Sequence, residues 1–542
     1  MNSAEFLVRC LENEGIEYCF GLPGEENLEF LKALTSSSIK TIITRDERGA
    51  SFMANAYGRL TGKAGVCFST LGPGATNLVT GIADAQLDFA PLVAITAQAS
   101  SSRRHKESHQ YIDVLSMLRA ITKWNVRIDK PEIINEAVRK VFKIAEMEKP
   151  GPTHIEFPED IADMDVQDIP INRLEYLYPV CSDERIKEAS RLINNSQLPI
   201  IIAGHGIIRS KACDALKDFA EKAGIAVVTT FMGMGAIPAD HDLFISNIGL
   251  QARDYVQCGI DIADLIIAIG YDPVEFSPKW WDNQKKIIHI DTTPAEIDKN
   301  YQALEITGDM VLNMRAITYL INNKKDFSYF EKLKKDVLSD LEAKMLYKTD
   351  SGLSPLSILQ AIRSVLKRDD MLISDVGAHK IWIGRSYPAY EPNTVIISNG
   401  FASMGFALPS AITAKLLYPE KNILAVVGDG GFMMTIGELE TARRFNLAFT
   451  VVLFNDNGYG LIQWKQQNRY KKDFFVGLTN PDFVRLAESF GWKGYLVDRE
   501  DELIPTLKSA INGGVPCIVE CKVDYSVNRR LSERLGSIIC RI

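Results

Sequence analysis

The stretch Val426-Val427-Gly428-Asp429-Gly430-Gly431-Phe432, followed by Leu453-Phe454-Asn455-Asp456-Asn457-Gly458, decides the reading of this 542-residue chain. Each half is a short apolar run that breaks into a turn rich in Gly, Asp and Asn. Such a run reads as a strand buried on both faces, and strands of that kind belong to parallel sheets whose carboxyl edges bind ligands. Asp429 then stands at one strand end and Asp456 at the next. The glycines let backbone N–H groups approach an anion closely, and a helix beginning near Met434 would turn its positive end to the same place. Two carboxylate oxygens, a backbone carbonyl and diphosphate oxygens form the hard octahedral set that magnesium prefers. Taken singly, Gly-Asp-Gly is an ordinary strand-to-helix turn; joined to Asn-Asp-Asn at this spacing, behind two apolar strands, it reads as a diphosphate and metal site.

The same alternation of apolar run and helical pattern extends outward. Further strands are expected at Met371-Ser374, Thr41-Thr44, Val66-Ser69, Leu92-Ile95, His154-Phe157, Ile200-Ala203, Ala226-Thr229, Leu265-Ile269, Lys286-Ile290 and Cys517-Glu520. Strands alternating with helices predict βαβ units. The expected fold class is therefore α/β, with three consecutive parallel-sheet domains at 1–165, 183–345 and 353–542. The stretch 163–182, with Pro170 and Pro179, reads as a linker. Residues 322–352 are polar and helix-prone, and read as a connection over the surface.

Lys+Arg 61 against Asp+Glu 69 gives a net charge of −8 with no basic block, which argues against nucleic acid as a partner. No apolar run approaches the length of a membrane span, and the N-terminus lacks the basic and apolar regions of a secretory signal. A cytoplasmic protein is expected. The nine cysteines form no CxxC pair and no disulfide framework, and Cys517 and Cys521 read as small buried hydrophobes. The seven histidines lack HExxH spacing, so an oxygen-bound metal is expected rather than zinc.

The paired turns resemble the signature of the thiamine diphosphate enzymes, GDG followed by N-N or a close variant. That resemblance implies thiamine diphosphate and Mg2+ as cofactors, with Asp429 and Asp456 as side-chain metal ligands and Gly458 supplying a carbonyl. The family more often has Asn where Asp456 stands, which changes the charge but keeps an oxygen ligand. Gly428, Gly430, Gly431 and Tyr459 fall against the cofactor by the same resemblance. Thr44-Arg45-Asp46-Glu47-Arg48-Gly49-Ala50 resembles the family's R-H-E-x-x-A segment, with Asp46 where histidine is usual. Glu47 then matches the glutamate that assists loss of the cofactor's C2 proton; a first-turn acid favoured by the helix dipole is the alternative. Ser69 to Asn77, containing Gly72-Pro73-Gly74-Ala75-Thr76-Asn77, is similar to the turn beside the pyrimidine, so Pro73 and Asn77 join the site. Ser398 to Pro409 resembles the G-x-x-x-M-G-x-x-L-P segment, which makes Met404 the apolar wedge beneath the cofactor and Ser403 its neighbour. Gly377-Ala378-His379 resembles a G-x-H segment near the diphosphate, with Ala378 in place of the common glutamine.

Over nearly the whole chain the resemblance is to acetolactate synthase large, catalytic subunits. Phe20-Gly21-Leu22-Pro23-Gly24, Gly81 to Gln86 and His109-Gln110 carry it. Gln110 matches a glutamine facing the reacting carbon, with a solvated helix-edge amide as the alternative. The FAD-carrying biosynthetic branch has an R-F-D-D-R segment. Here the matching residues read Ile269-Gly270-Tyr271-Asp272-Pro273-Val274-Glu275-Phe276, so the resemblance is to the FAD-free catabolic branch, and Val523 to Asn528 agrees; FAD in the middle domain, without a chemical role, stays open as the alternative, as does the pathway. Gly204-His205-Gly206 is a partial GxGxxG whose last place is Arg209, and reads as a plain turn. Trp464 falls one place early for the family's acceptor tryptophan, so acceptor preference between pyruvate and 2-ketobutyrate stays open, as does any regulatory subunit. The resemblance implies decarboxylation of pyruvate and joining to a second pyruvate, giving 2-acetolactate and CO2. The active sites are expected between subunits of a homodimer or homotetramer. The alternatives are another thiamine diphosphate-dependent 2-ketoacid decarboxylase or carboligase, or a pyruvate oxidase; a non-catalytic binding module would have lost Glu47 or the aspartate pair.

Overall fold

The computed structural model describes residues 1–536 apart from 174–175, 249–254, 283, 343–347 and 350. Cys540 and parts of the two connecting stretches lie outside the described residues. Three six-stranded sheets, parallel throughout, carry the fold. The first holds β1 Tyr18–Gly21, β2 Lys40–Ile43, β3 Gly65–Ser69, β4 Leu92–Gln98, β5 Trp124–Arg127 and β6 Pro152–Pro158, in the order β2-β1-β3-β4-β6-β5. The middle sheet holds β7 Pro199–Ala203, β8 Ala226–Thr229, β9 Phe244–Asn247, β10 Leu265–Ile269, β11 Lys286–Asp291 and β12 Ala303–Thr307, in the order β12-β11-β10-β7-β8-β9. The third holds β13 Met371–Ser374, β14 Val395–Ile397, β15 Ile423–Gly428, β16 Thr450–Asn455, β17 Lys493–Val497 and β18 Cys517–Lys522, in the order β14-β13-β15-β16-β18-β17.

The first and third sheets thus repeat one strand order, while the middle sheet has the doubly wound order of dinucleotide-binding folds. In each, the winding reverses beside the first strand, at β1/β3, β7/β10 and β13/β15; in the first and third sheets it also turns back at the far edge, from β5 to β6 and from β17 to β18. In open α/β sheets switch points of the first kind, beyond the carboxyl ends of the strands, are where ligands bind.

Burial follows the strand period. In the middle sheet Ile200, Ile202, Ile266 and Ala268 pack on one face, and Ile201, Ala203, Ile267 and Ile269 on the other. Each buried isoleucine contributes about 1.5–3 kcal/mol. Cys517 and Cys521 are buried in the third core as expected, and burial pushes the Cys517 thiol up to about 11. Among the described residues seven cysteines are free thiols and Cys258 is disulfide-bonded.

The chain groups into two compact units. One combines Met1–Tyr176 with Gly400–Pro419 and Met433–Ala448; the other contains 177–399, 420–432 and 449 onward. In the first unit, the helix Ala407–Leu417 lies on the helix Glu47–Thr61. The Thr413 hydroxyl donates to the Met53 carbonyl at 3.1 Å, and the Phe52 and Phe406 rings meet edge to face at 5.7 Å.

Three expectations need correction. The helix after Gly428 begins at Asp429, not near Met434, and ends there; an aspartate is a favoured first-turn residue, so Gly-Asp-Gly starts the helix instead of preceding it. Gly204-His205-Gly206 is not a plain turn but leads into the short helix His205–Arg209. The stretch 322–352 contains the helix Ser328–Glu342, which buries Phe330, Leu333 and Val337 at helical spacing and so belongs partly to a core. Among the described residues no helix is long and apolar enough to cross a membrane.

Candidate active site

The third sheet's switch point gathers most of the sequence-derived site. β15 ends at Gly428, and Asp429 follows, 1% exposed. Its Oδ1 accepts the Gly430 N–H at 3.0 Å, and its Oδ2 accepts the Gly458 N–H at 3.1 Å and the Asn480 amide at 2.6 Å. Asp456 leaves β16 beside it. Burial first, and then the neighbouring Asp429 charge, pushes the Asp456 carboxyl up to about 7; burial also raises Asp429. Two carboxylates held together in this way repel until a cation sits between them. Among the described residues no group of three or more His, Cys, Asp or Glu forms a metal site, so a cation here would complete its shell with carbonyl, water or ligand oxygens.

His379 lies in the helix that follows β13, on the other side of the switch point. Its ring packs on Gly428, where a Cβ would lie 3.4 Å from its Cε1. Burial drives the imidazole down to about 4, so it is neutral, and its Nε2 is buried without a hydrogen-bond partner. Gly430 is needed for a different reason: a Cβ there would lie 2.8 Å from the Tyr459 ring. Tyr459 in turn is anchored by its N–H to the Val476 carbonyl at 2.9 Å. An unsatisfied buried donor or acceptor and a repelling carboxylate pair are features that a metal-bound diphosphate would relieve. The residues present therefore fit the diphosphate end of thiamine diphosphate with a hard cation.

Next to this cluster is a cavity of about 530 Å³ lined by Asp456, Gln463, Trp464, Tyr525, Asn528 and Arg529, among others. Trp464 donates its indole N–H to Ser532 Oγ at 2.8 Å. Asn480 was not picked out by sequence reasoning. Its amide reaches Asp429, Asn455 (3.1 Å) and Asn457 (3.2 Å), tying the two strand ends together. An Asn before Pro481 reads as a turn, and nothing in the sequence links it to Asp429 51 residues away.

The remaining candidates lie in the first compact unit. Glu47 opens the helix Glu47–Thr61, with Asp46 as N-cap accepting the Arg48 N–H at 2.7 Å. Glu47 is 8% exposed, and its Oε2 accepts the Asn77 amide at 3.0 Å. Asn77 belongs to the helix Pro73–Leu87, which starts after Gly72 in a left-handed conformation, φ +50. A side chain at Gly72 would meet the Gln110 carbonyl at 2.5 Å, so the glycine admits the 110 loop beside the turn. Gln110 itself is exposed and has φ +58. Ser403 and Met404 sit in a turn with Ala402 at φ +56 and Gly405 at φ +90, and Met404 is half-buried rather than core. The structure thus brings Glu47, Pro73, Asn77 and Gln110 together at one sheet, and Gly428, Asp429, Gly430, Gly431, Asp456, Gly458, Tyr459 and His379 at another.

The third sheet thus carries a buried carboxylate pair and the first unit a buried acid with an amide partner; comparison with known proteins gives the class. Residues 1–117 match the N-terminal TPP binding domain of thiamine pyrophosphate enzymes, 186–317 the central domain and 375–521 the C-terminal TPP binding domain. The chain belongs to the thiamine pyrophosphate enzymes. Within them it is acetolactate synthase-like. It is 35% identical to the probable acetolactate synthase large subunit of Methanocaldococcus jannaschii, over 97% of this chain and 92% of that protein. It is 34% identical to the acetolactate synthase of Bacillus subtilis, over 98% of this chain and 94% of that one. It is 32% identical to the catabolic acetolactate synthase of Raoultella terrigena, over 98% and 97%. Similarity of this degree to proteins of each name does not separate the branches.

Proposed function

We propose that the chain is the catalytic subunit of an acetolactate synthase of the FAD-free type, which decarboxylates pyruvate and joins the remaining two-carbon unit to a second pyruvate, releasing 2-acetolactate and CO2. The observation that carries this reading is the pair Asp429 and Asp456 at the third sheet's switch point, in a chain similar along its whole length to acetolactate synthases. When bound, thiamine diphosphate supplies a carbon nucleophile that adds to a ketone and takes up the electrons released as CO2 leaves.

The chain's own residues do the rest. Asp429, Asp456 and Gly458 hold Mg2+, with His379, the glycines 428, 430 and 431, and Tyr459 around the diphosphate. Glu47, kept in place by Asn77, holds or moves a proton at the cofactor's ring. Met404 and Ser403 would pack against the cofactor, and Gln110 would meet the substrate. Trp464, on the wall of the cavity beside Asp456, shapes the acceptor's place. The active form is a homodimer or homotetramer with sites between subunits. In the middle domain the switch point is filled by the chain itself: the Gly206 N–H donates to the Gly270 carbonyl at 2.8 Å, and Glu275 accepts the His205 N–H at 3.1 Å and the Thr230 hydroxyl. That filling favours an enzyme without FAD.

Incubation with pyruvate, Mg2+ and thiamine diphosphate tests the reading. Acetolactate and CO2 in equal amounts are expected. Acetaldehyde or hydrogen peroxide as the main product would overturn it, and a competition between pyruvate and 2-ketobutyrate sets the acceptor.

A further inference from the structure

The helix Glu438–Arg444 begins with a buried acid to which the proposed reaction gives no part. Glu438 is 1% exposed. Its Oε1 accepts the backbone N–H of Arg45 at 3.0 Å and of Asp46 at 3.2 Å, and its Oε2 accepts the Thr441 hydroxyl at 2.6 Å. All four residues lie in the first compact unit. Arg45 and Asp46 make the turn between β2 and the helix Glu47–Thr61, and Glu47 is the next residue.

The space for this grip depends on Gly49. A Cβ there would lie 2.5 Å from Glu438 Oε1 and 2.9 Å from its Cδ. Burying a carboxyl is costly, and burial here pushes Glu438 up to about 7. The Asp46 charge acts in the same direction, while the Thr441 hydroxyl and the two amides favour the charged form. The helix does not need this acid to start, because the Asp46 side chain already caps it through the Arg48 N–H. What Glu438 adds is a fix on the two amides immediately before Glu47.

We propose that Glu438 is a positioning residue for Glu47: its carboxylate clamps the Arg45 and Asp46 amides and so sets the point from which the Glu47 side chain is aimed. This inference rests on the reading of Glu47 as the acid at the cofactor ring. Hydrogen bonds to a charged acceptor are about twice as strong as neutral ones, so charge as well as shape matters in the clamp. Misplacing a catalytic group by an ångström costs about 100-fold.

The test uses the full chain as wild type, Glu438→Ala, Glu438→Gln, Gly49→Ala and Glu47→Gln. The first readout is amide hydrogen exchange at Arg45 and Asp46 without cofactor. Exchange at least about 10-fold faster is expected in Glu438→Ala, with a smaller rise in Glu438→Gln, which keeps an acceptor oxygen. The second is steady-state turnover of pyruvate by the holoenzyme. A kcat reduced about 100-fold in Glu438→Ala, with partial rescue in Glu438→Gln and an unchanged KM for pyruvate, is expected. A purely structural role would lower the Tm while leaving kcat per folded site unchanged. Unchanged amide exchange, or near-normal kcat in Glu438→Ala while Glu47→Gln loses turnover, would overturn the positioning role alone. Near-normal turnover in Glu47→Gln would overturn the reading on which it rests. Should Glu438→Ala not fold, Glu438→Gln and Gly49→Ala carry the test, the latter expected to displace the carboxylate and lower kcat.

Discussion

The middle and third sheets both offer a switch point, and they use it in opposite ways. At β7/β10 the chain closes on itself: Gly204 approaches Gly270 so nearly that a Cβ would lie 2.3 Å from the Gly270 carbonyl oxygen, and Glu275 takes up the His205 N–H and the Thr230 hydroxyl. Beside β13/β15 the Asp429 charge, after burial, disfavours ionisation of Asp456 at the end of β16, and the Nε2 of His379 has no partner. The topology places a switch point in each sheet, and local polar saturation decides whether that point has anything left to offer a ligand. A turn whose donors are spent internally has little left to offer; one that keeps unmet charge is a candidate binding site.

Four experiments probe this contrast between the two switch points. If the carboxylate pair at the third switch point holds the proposed cation, stripping magnesium with EDTA should reduce turnover by more than about 100-fold and readdition should restore it; full activity in a metal-free preparation would remove that point's claim. Asn480→Ala should weaken magnesium about 10- to 100-fold, the range for a residue that orients a ligand carboxylate, as titrated by calorimetry; an unchanged affinity would show that Asn480 only closes the turn. Glu275→Ala should leave magnesium and cofactor affinity alone but cost about 1–3 kcal/mol, because the His205 N–H and Thr230 hydroxyl lose their acceptor, and this is read as a lower Tm.

The smallest effect is pH-dependent. Burial pushes Glu275 up to about 7, helped by Asp272 and opposed by Thr230, Arg209 and the His205 amide. Its folded pKa exceeds its ordinary value of 4.5. The native state therefore binds the extra proton, and stability falls as pH rises from about 4.5 through about 7. Glu275→Gln should raise the Tm relative to wild type at pH 8 more than at pH 5, and a difference independent of pH would contradict the assignment.

The same physics explains what was legible in the sequence. Interior strands such as β10, β15 and β18 are buried almost throughout, and their unbroken apolar runs stand out. The strands missed by that reading are β1, β5, β9, β12, β14 and β17, and all but β1 lie at a sheet edge. Edge strands face solvent: β5 has no fully buried residue and β17 only one. These two, β9 and β12 carry mixed sequences with no long apolar run, whereas β14 is apolar and buried throughout. β14 is three residues long, and β1 is a four-residue strand ending in Gly21. Candidate residues a short way past a strand end, such as Asp429, Asp456 and Glu47, stand out in the local pattern. Asn480 and Glu438 do not, because their partners lie 51 and 392–393 residues away in the chain, and only the folded structure puts an amide or a carboxylate beside them.

The most direct measurement is calorimetric titration of thiamine diphosphate with Mg2+ into wild type, Asp429→Ala and Glu275→Ala. The account, which places the diphosphate at the third switch point, predicts a loss of about 100-fold or more in affinity for Asp429→Ala and wild-type affinity for Glu275→Ala. Unchanged binding in Asp429→Ala, or its loss in a folded Glu275→Ala, would contradict it.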